Sequence, residues 1–157
     1  MDEEKTLEKA TSLALRYISY RPRSEAEVRS RLRPKHPGQI VEAVVQRLKE
    51  QGLLDDRAFA HAWSQSRANS RPRSAALVRR ELLQKGVAHE TAQAAASTLD
   101  DEESAYSAGQ RAARTLAGAD YTTFRRRVWG YLHRRGFSQA VVRRTVRRLW
   151  EERGMGG

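Results

Sequence analysis

Arg21-Pro22-Arg23-Ser24 returns fifty residues later as Arg71-Pro72-Arg73-Ser74. The same shift carries Val28 and Arg29 onto Val78 and Arg79, Leu32 onto Leu82, and Lys35 onto Lys85. A second shift of fifty takes Val78 to Val128 and Leu82 to Leu132, and it takes Lys85-Gly86-Val87 to Arg135-Gly136-Phe137. One residue fewer near Pro37 brings Leu48 into line with Leu99 and Leu149. A single tetrapeptide can recur by chance. A register kept at apolar, basic and glycine positions through both shifts is a repeat, and a repeat of about fifty residues reads as one supersecondary unit copied in tandem.

Each unit reads as three helices. Ile40, Val41, Val44, Val45 and Leu48 fall at helical spacing, as do Val141, Val142, Val146, Leu149 and Trp150 in the third unit. Ser24 with Glu27 three residues on is a capping box: the hydroxyl takes an orphan N–H and the carboxylate reaches back. Pro22 and Pro72 end the helices before them, because proline lacks the N–H donor. Gly52, Gly86 and Gly136 stand where a helix stops in a left-handed residue, and Asp55 is placed to cap the helix that follows. No alternation of apolar and polar residues is long enough for a sheet. The sequence therefore predicts an all-α fold of three tandem three-helix repeats forming a curved, elongated solenoid-like array. The expected units are 1–51, 52–100 and 101–153, with a flexible tail at 154–157. Tyr17, Phe59, Trp63, Trp129, Tyr131, Phe137 and Trp150 are expected to pack on apolar faces or at the seams.

The 157 residues are 39% hydrophobic, low for a globular domain, which suits thin helical layers better than one large core. Lys and Arg number 30 against 19 acids, a net charge of +11. That surplus points to a polyanionic partner. It is uneven: residues 101–157 carry 12 basic and 6 acidic side chains, and every basic one is arginine. There is no cysteine, so disulfides and thiolate chemistry are excluded. The acidic opening Met1-Asp2-Glu3-Glu4 lacks the apolar core of a secretory signal, and no stretch approaches a membrane span, so the chain reads as cytoplasmic.

The last helix locates the charge. At about 100° per residue, Val141, Thr145, Leu149, Val142, Val146 and Trp150 fill one half of the wheel, and Arg143, Arg144, Arg147 and Arg148 fill the other. A solvated face usually mixes signs. Four arginines with no acid among them point instead to a polyanion-binding ridge, although cations near a helix C-terminus are also stabilised by the dipole. Arg125, Arg126, Arg127, Arg134 and Arg135 add to the same third, and Arg79, Arg80 and Lys85 are their counterparts in the second unit. Arg21, Arg23, Arg71 and Arg73 sit at inter-helix corners. There they could clasp carboxylates or phosphates, or serve as ordinary linker residues. Basic three-helix units also suggest a helix-turn-helix, but no helix N-terminus gathers the side chains that read base edges.

Nothing marks an enzyme. His36, His61, His89 and His133 never pair at metal-ligand spacing, and His89-Glu90 lacks the second histidine of a zinc protease helix. No phosphate-binding glycine loop is present, and nothing activates Ser64 or Ser66 as a nucleophile. Asp55-Asp56 and Asp100-Asp101-Glu102-Glu103 are explained by helix starts. The sequence predicts no catalytic residue, metal, cofactor or small-molecule substrate.

Three longer segments carry a family resemblance. They are Ala14-Leu15-Arg16-Tyr17-Ile18-Ser19-Tyr20-Arg21-Pro22-Arg23-Ser24 followed by Glu27–Leu32; Leu48-Lys49-Glu50-Gln51-Gly52-Leu53-Leu54-Asp55-Asp56-Arg57-Ala58-Phe59-Ala60 with Trp63 and Arg67; and Arg80-Glu81-Leu82-Leu83-Gln84-Lys85-Gly86-Val87. The chain resembles RecX, the bacterial regulators of the RecA recombinase, from about residue 7 to residue 153. The third unit departs most, having Asp120-Tyr121-Thr122-Thr123 where the others have the Arg-Pro-Arg-Ser turn. The resemblance implies an array of three three-helix repeats that binds RecA–DNA filaments. It implies lowered ATP hydrolysis, strand exchange and co-protease action, either from the filament groove or by capping an end. The expected partner is the RecA nucleoprotein filament, the arginines are expected to touch DNA phosphates, and the chain is expected to be monomeric and to engage no membrane. Two other readings stay open: a DNA-binding module that competes for single strands, and a helical scaffold.

Overall fold

The computed structural model describes residues 2–155, and every regular element among them is a helix. In chain order these are α1 (Asp2–Tyr20), α2 (Glu25–Leu32), α3 (Gly38–Glu50), α4 (Asp56–Asn69), α5 (Ala75–Gln84), α6 (His89–Ala96), α7 (Asp101–Arg114), α8 (Tyr121–Arg134) and α9 (Gln139–Met155). They group by threes, as the repeat requires. The expected tail at 154–157 falls partly within α9, and positions 156–157 lie outside the described residues.

The helix ends follow from local chemistry. Ser24 Oγ accepts the Glu27 N–H at 3.1 Å while the Glu27 carboxylate accepts the Ser24 N–H at 3.1 Å, completing the capping box. Asp55 accepts the N–H groups of Arg57 and Ala58, and Asp100 does the same for Glu102 and Glu103. Gly52, Gly86 and Gly136 have φ of 74°, 83° and 88°, the left-handed region glycine occupies without a Cβ penalty. In the third repeat, α8 starts one turn earlier than the register of α2 and α5. Asp120 supplies its cap by accepting the Thr123 N–H at 2.8 Å, so the missing Arg-Pro-Arg-Ser turn is replaced by extra helix.

The chain divides into two compact units. The first runs up to Ala62 and takes in Glu81–Ala92; the second holds Trp63–Arg80 and resumes at Gln93. The middle repeat thus contributes residues to both. In the first unit Ala10 and Ala14 of α1, Val28 and Leu32 of α2, and Val41, Val44, Val45 and Leu48 of α3 close one core. In the second, Phe124, Val128 and Leu132 of α8 and Val142, Val146 and Leu149 of α9 pack on Ala105 and Ala108 of α7. The small face of α7 brings α9 close: a Cβ on Gly109 would stand 2.6 Å from Leu149 Cδ1.

Each unit also contains a joint between successive repeats, built twice on one plan. In the first unit Ser24 Oγ donates to the Lys85 carbonyl at 2.6 Å, and the Glu25 N–H donates to Asp56 at 2.9 Å. Gly86 lies so near α2 that a Cβ would stand 2.2 Å from Ala26 Cβ. In the second unit the Ser74 N–H donates to the Arg135 carbonyl at 3.0 Å and the Ala75 N–H donates to Asp101 at 2.8 Å. A Cβ on Gly136 would stand 2.5 Å from Ser74 Oγ and 2.8 Å from Leu77 Cβ. The Arg-Pro-Arg-Ser turn of one repeat is therefore seated on the basic-Gly turn of the next.

Candidate nucleoprotein interface

The α9 wheel is realised. Val141, Val142, Thr145, Val146 and Leu149 are buried, and Arg143, Arg144, Arg147 and Arg148 are exposed. Two of the four arginines are nevertheless occupied by acids, one from a neighbouring helix and one from the next turn of α9. Arg144 forms an ion pair with Glu102 of α7. Arg148 pairs with Glu152 one turn on at 3.1 Å, and its guanidinium lies 3.5 Å from the centre of the Tyr106 ring. The Tyr106 hydroxyl donates to the same Glu152, and that bond, with Arg148 beside it, holds the Glu152 carboxyl below its ordinary range. Arg143 and Arg147 have no ion-pair partner among the described residues, so the open part of the ridge is one file of two arginines four residues apart.

The corner arginines diverge although their tetrapeptides are identical. Arg21 Nη2 donates to Glu27 at 2.7 Å, and Lys85 Nζ lies 3.8 Å from the same carboxylate. Burial alone would raise the Glu27 carboxyl. The Ser24 N–H, the Arg21 guanidinium and the Lys85 ammonium outweigh it and leave the group below the usual glutamate range. Arg23 donates to the Tyr17 carbonyl at 3.2 Å and lies 3.8 Å from the centre of the Tyr17 ring. In the second unit the position of Glu27 is taken by Leu77. Arg71, exposed and held at a strained φ of 51°, has no such acid beside it. Arg73 lies among Arg67, Arg135 and Arg71; burial and then those three charges hold its guanidinium below the usual range. Arg135 stacks 4.3 Å from the Tyr131 ring centre, and its buried Nε has no hydrogen-bond partner among the described residues.

Arg79 and Arg80 are exposed on α5. Arg125 lies 4.7 Å from the Trp129 ring centre. Arg126, Arg127 and Arg134 come together with Arg111 of α7 around one open cleft in the second unit. Sequence reading missed Arg111, which carries no repeat or motif signal and gains meaning only because α7 packs on α8. It also missed the use of aromatics as platforms for arginine. Phe59 and Phe137 are core, but Tyr17, Trp63, Tyr131, Trp129 and Trp150 are half-exposed with a guanidinium over each ring, a cation–π arrangement.

Among the described residues no group of His, Asp or Glu could hold a metal ion, and no helix is long and apolar enough to cross a membrane. Ser64 is buried and its Oγ has no hydrogen-bond partner among the described residues.

Three family profiles match in order: the first three-helix domain of RecX over residues 10–48, the second over 55–95 and the third over 100–146. The chain belongs to the RecX family. Proteins named Regulatory protein RecX from three bacteria resemble it over four-fifths or more of their length. That of Streptomyces coelicolor is 36% identical, covering 94% of this chain and 81% of its own. That of Thermobifida fusca is 34% identical, covering 94% and 82%. That of Chlorobium limicola is 32% identical, covering 90% of each. The crystal structure of RecX from Lactobacillus salivarius superposes with a TM-score of 0.78 at 20% identity, covering 93% of this chain and 97% of that one. A second RecX crystal structure gives 0.74 at 24% identity, covering 92% and 73%. At those identities the RecX structures speak to the fold, and the fold agrees: three tandem three-helix domains and no strand among the described residues.

Proposed function

We propose that this RecX-family chain is a non-enzymatic negative regulator of homologous recombination and of the SOS response. It binds the RecA–DNA filament in the cytoplasm as a monomer and lowers the filament's ATP hydrolysis, strand exchange and co-protease action. The observation that carries this reading is the ordered match of all three RecX domains, with relatives named as regulatory proteins that align over four-fifths or more of their length. The physical features agree with it. Several modest contacts on one repeat scaffold combine through effective concentration, which suits a polymer partner. The open arginines Arg143 and Arg147 on α9, with Arg71, Arg79, Arg80 and Arg125, offer cations to the acidic surface of a filament protomer. Arg126, Arg127 and Arg134 offer them to phosphate.

A titration of single-stranded-DNA-dependent ATP hydrolysis by RecA tests this. Strong inhibition well below one molecule per RecA protomer is expected. Inhibition only at levels that cover the DNA would replace the filament reading with competition for single strands, a reading favoured by the arginine-lined cleft. No inhibition would remove both.

A further inference from the structure

The cleft between α7 and α8 encloses about 520 Å³. Arg111 stands on one wall and Arg126, Arg127 and Arg134 on the other, and no carboxylate lines it. Arg127 and Arg134 are seven residues apart on one face of α8, about 10 Å along its axis. Gly130 lies between them, where a Cβ would stand 3.2 Å from Arg134 Nη1. The missing side chain lets that guanidinium lie along the cleft. Asp120 is near Arg126, but it is exposed and committed to the α8 cap through the Thr123 N–H. Tyr131 also lines the cleft, and its ring carries Arg135, which in turn neighbours Arg73.

We propose that the α7–α8 cleft is a phosphate-binding site for the backbone of a nucleic-acid strand, with Arg111, Arg126, Arg127 and Arg134 as its phosphate ligands and Gly130 as the residue that keeps it open. The cations are spread over two helical turns on both walls, so the site fits successive phosphates of a polymer better than one small anion. Nucleic-acid interfaces are much more positively charged than protein–protein ones, whose centres are depleted of charge, and four arginines without an acid match the former. Arginine reaches phosphate bidentately without regard to base, so binding is independent of sequence and sensitive to salt. The assignment deepens the filament reading, and it rests on that reading for its setting.

The test is binding of a fluorescein-labelled oligothymidylate of about twenty nucleotides to the full chain, from about 50 to about 200 mM salt. Three variants are compared, each checked for unchanged helix content: Arg111→Gln with Arg127→Gln, Gly130→Leu, and Arg33→Gln with Arg47→Gln, two exposed arginines of the first unit. The first should bind about tenfold more weakly and lose about 1.4 from the salt slope, two single-strand phosphate contacts. Gly130→Leu should weaken binding severalfold at unchanged net charge by filling the cleft. The third removes the same charge outside the cleft and should shift binding less than threefold. Equal weakening by the two double variants would overturn the site, because net charge alone would then explain binding. So would displacement of the oligonucleotide by polyglutamate at equal charge concentration, which would assign the cleft to acidic protein. RecA ATP hydrolysis measured in parallel separates the two readings. Cleft-dependent oligonucleotide binding without inhibition removes the filament reading alone. Inhibition with oligonucleotide binding untouched by Arg111→Gln and Arg127→Gln removes the cleft alone.

Discussion

The two joints share a backbone plan and differ in charge. At the first, Glu27 receives Arg21 at 2.7 Å and has Lys85 at 3.8 Å, so one carboxylate serves two cations of the corner. At the second, Leu77 stands in place of Glu27 and lies near Gly136, so the equivalent cations Arg71 and Arg135 lack the counterpart of that carboxylate. A seated helix N-terminus and a tight glycine suffice to connect two repeats, since both joints have them. The carboxylate is an addition at one joint. Its absence at the other leaves Arg71 exposed without that acid beside it, where a polyanion can meet it.

The largest expected effect breaks the part the joints share. Gly86→Ala must hold a side chain at φ of 83° and push it into Ala26 Cβ. Together these cost about 3 kcal/mol, combining the left-handed penalty with overpacking. Gly136→Ala meets Ser74 and Leu77 in the same way. Gly52→Ala has φ of 74° but open space around it, so it should cost only about 1 kcal/mol. Urea unfolding of the three variants gives the order. Equal losses would mean that the close approach at the joints contributes nothing.

On α9 the contrast lies within one helix. Arg143→Glu with Arg147→Glu should weaken binding to RecA filaments about tenfold with helix content unchanged, because those cations have no internal partner. Arg144→Ala or Arg148→Ala breaks an exposed, solvent-screened ion pair and should leave the urea unfolding midpoint nearly unchanged. Unaltered filament binding by the first pair would remove the ridge from the interface.

The smallest effect is acid-dependent. The Glu27 carboxyl is held below its unfolded value, so its contribution is present above the unfolded pKa of about 4.3 and fades as pH falls through the lower folded value. Comparing wild type with Glu27→Gln by urea unfolding, the stability difference should shrink as pH drops below about 4. A difference that stays constant with pH would mean that the charge of Glu27 does not matter.

Sequence alone reached the helices, their caps and their glycine stops, because these are set by residues within four positions of one another. Ser24 with Glu27, Asp55 before α4, and the apolar half of α9 were all legible in that way. The joints were not: Ser24 meets Lys85 across sixty-one positions, and nothing local announces it. For the same reason the wheel of α9 displayed four arginines as equals, while packing on α7 gives Arg144 the partner Glu102 and places Tyr106 under Arg148. Arg111 was invisible because its significance comes from a neighbouring helix. The aromatic residues were legible as apolar and not as platforms, since an arginine over a ring has no fixed spacing.

The most direct test of the account exchanges the two corners. Leu77→Glu recreates the Ser-x-x-Glu cap at α5 and gives the second joint the counterpart of the Glu27 carboxylate; Glu27→Leu strips that carboxylate from the first. The concentration of each variant that half-inhibits RecA ATP hydrolysis is measured beside wild type. The account predicts that Leu77→Glu needs severalfold more protein and Glu27→Leu no more than wild type. Identical curves for wild type and Leu77→Glu would contradict the claim that the corner of the second unit, where Leu77 stands in place of Glu27, faces the filament.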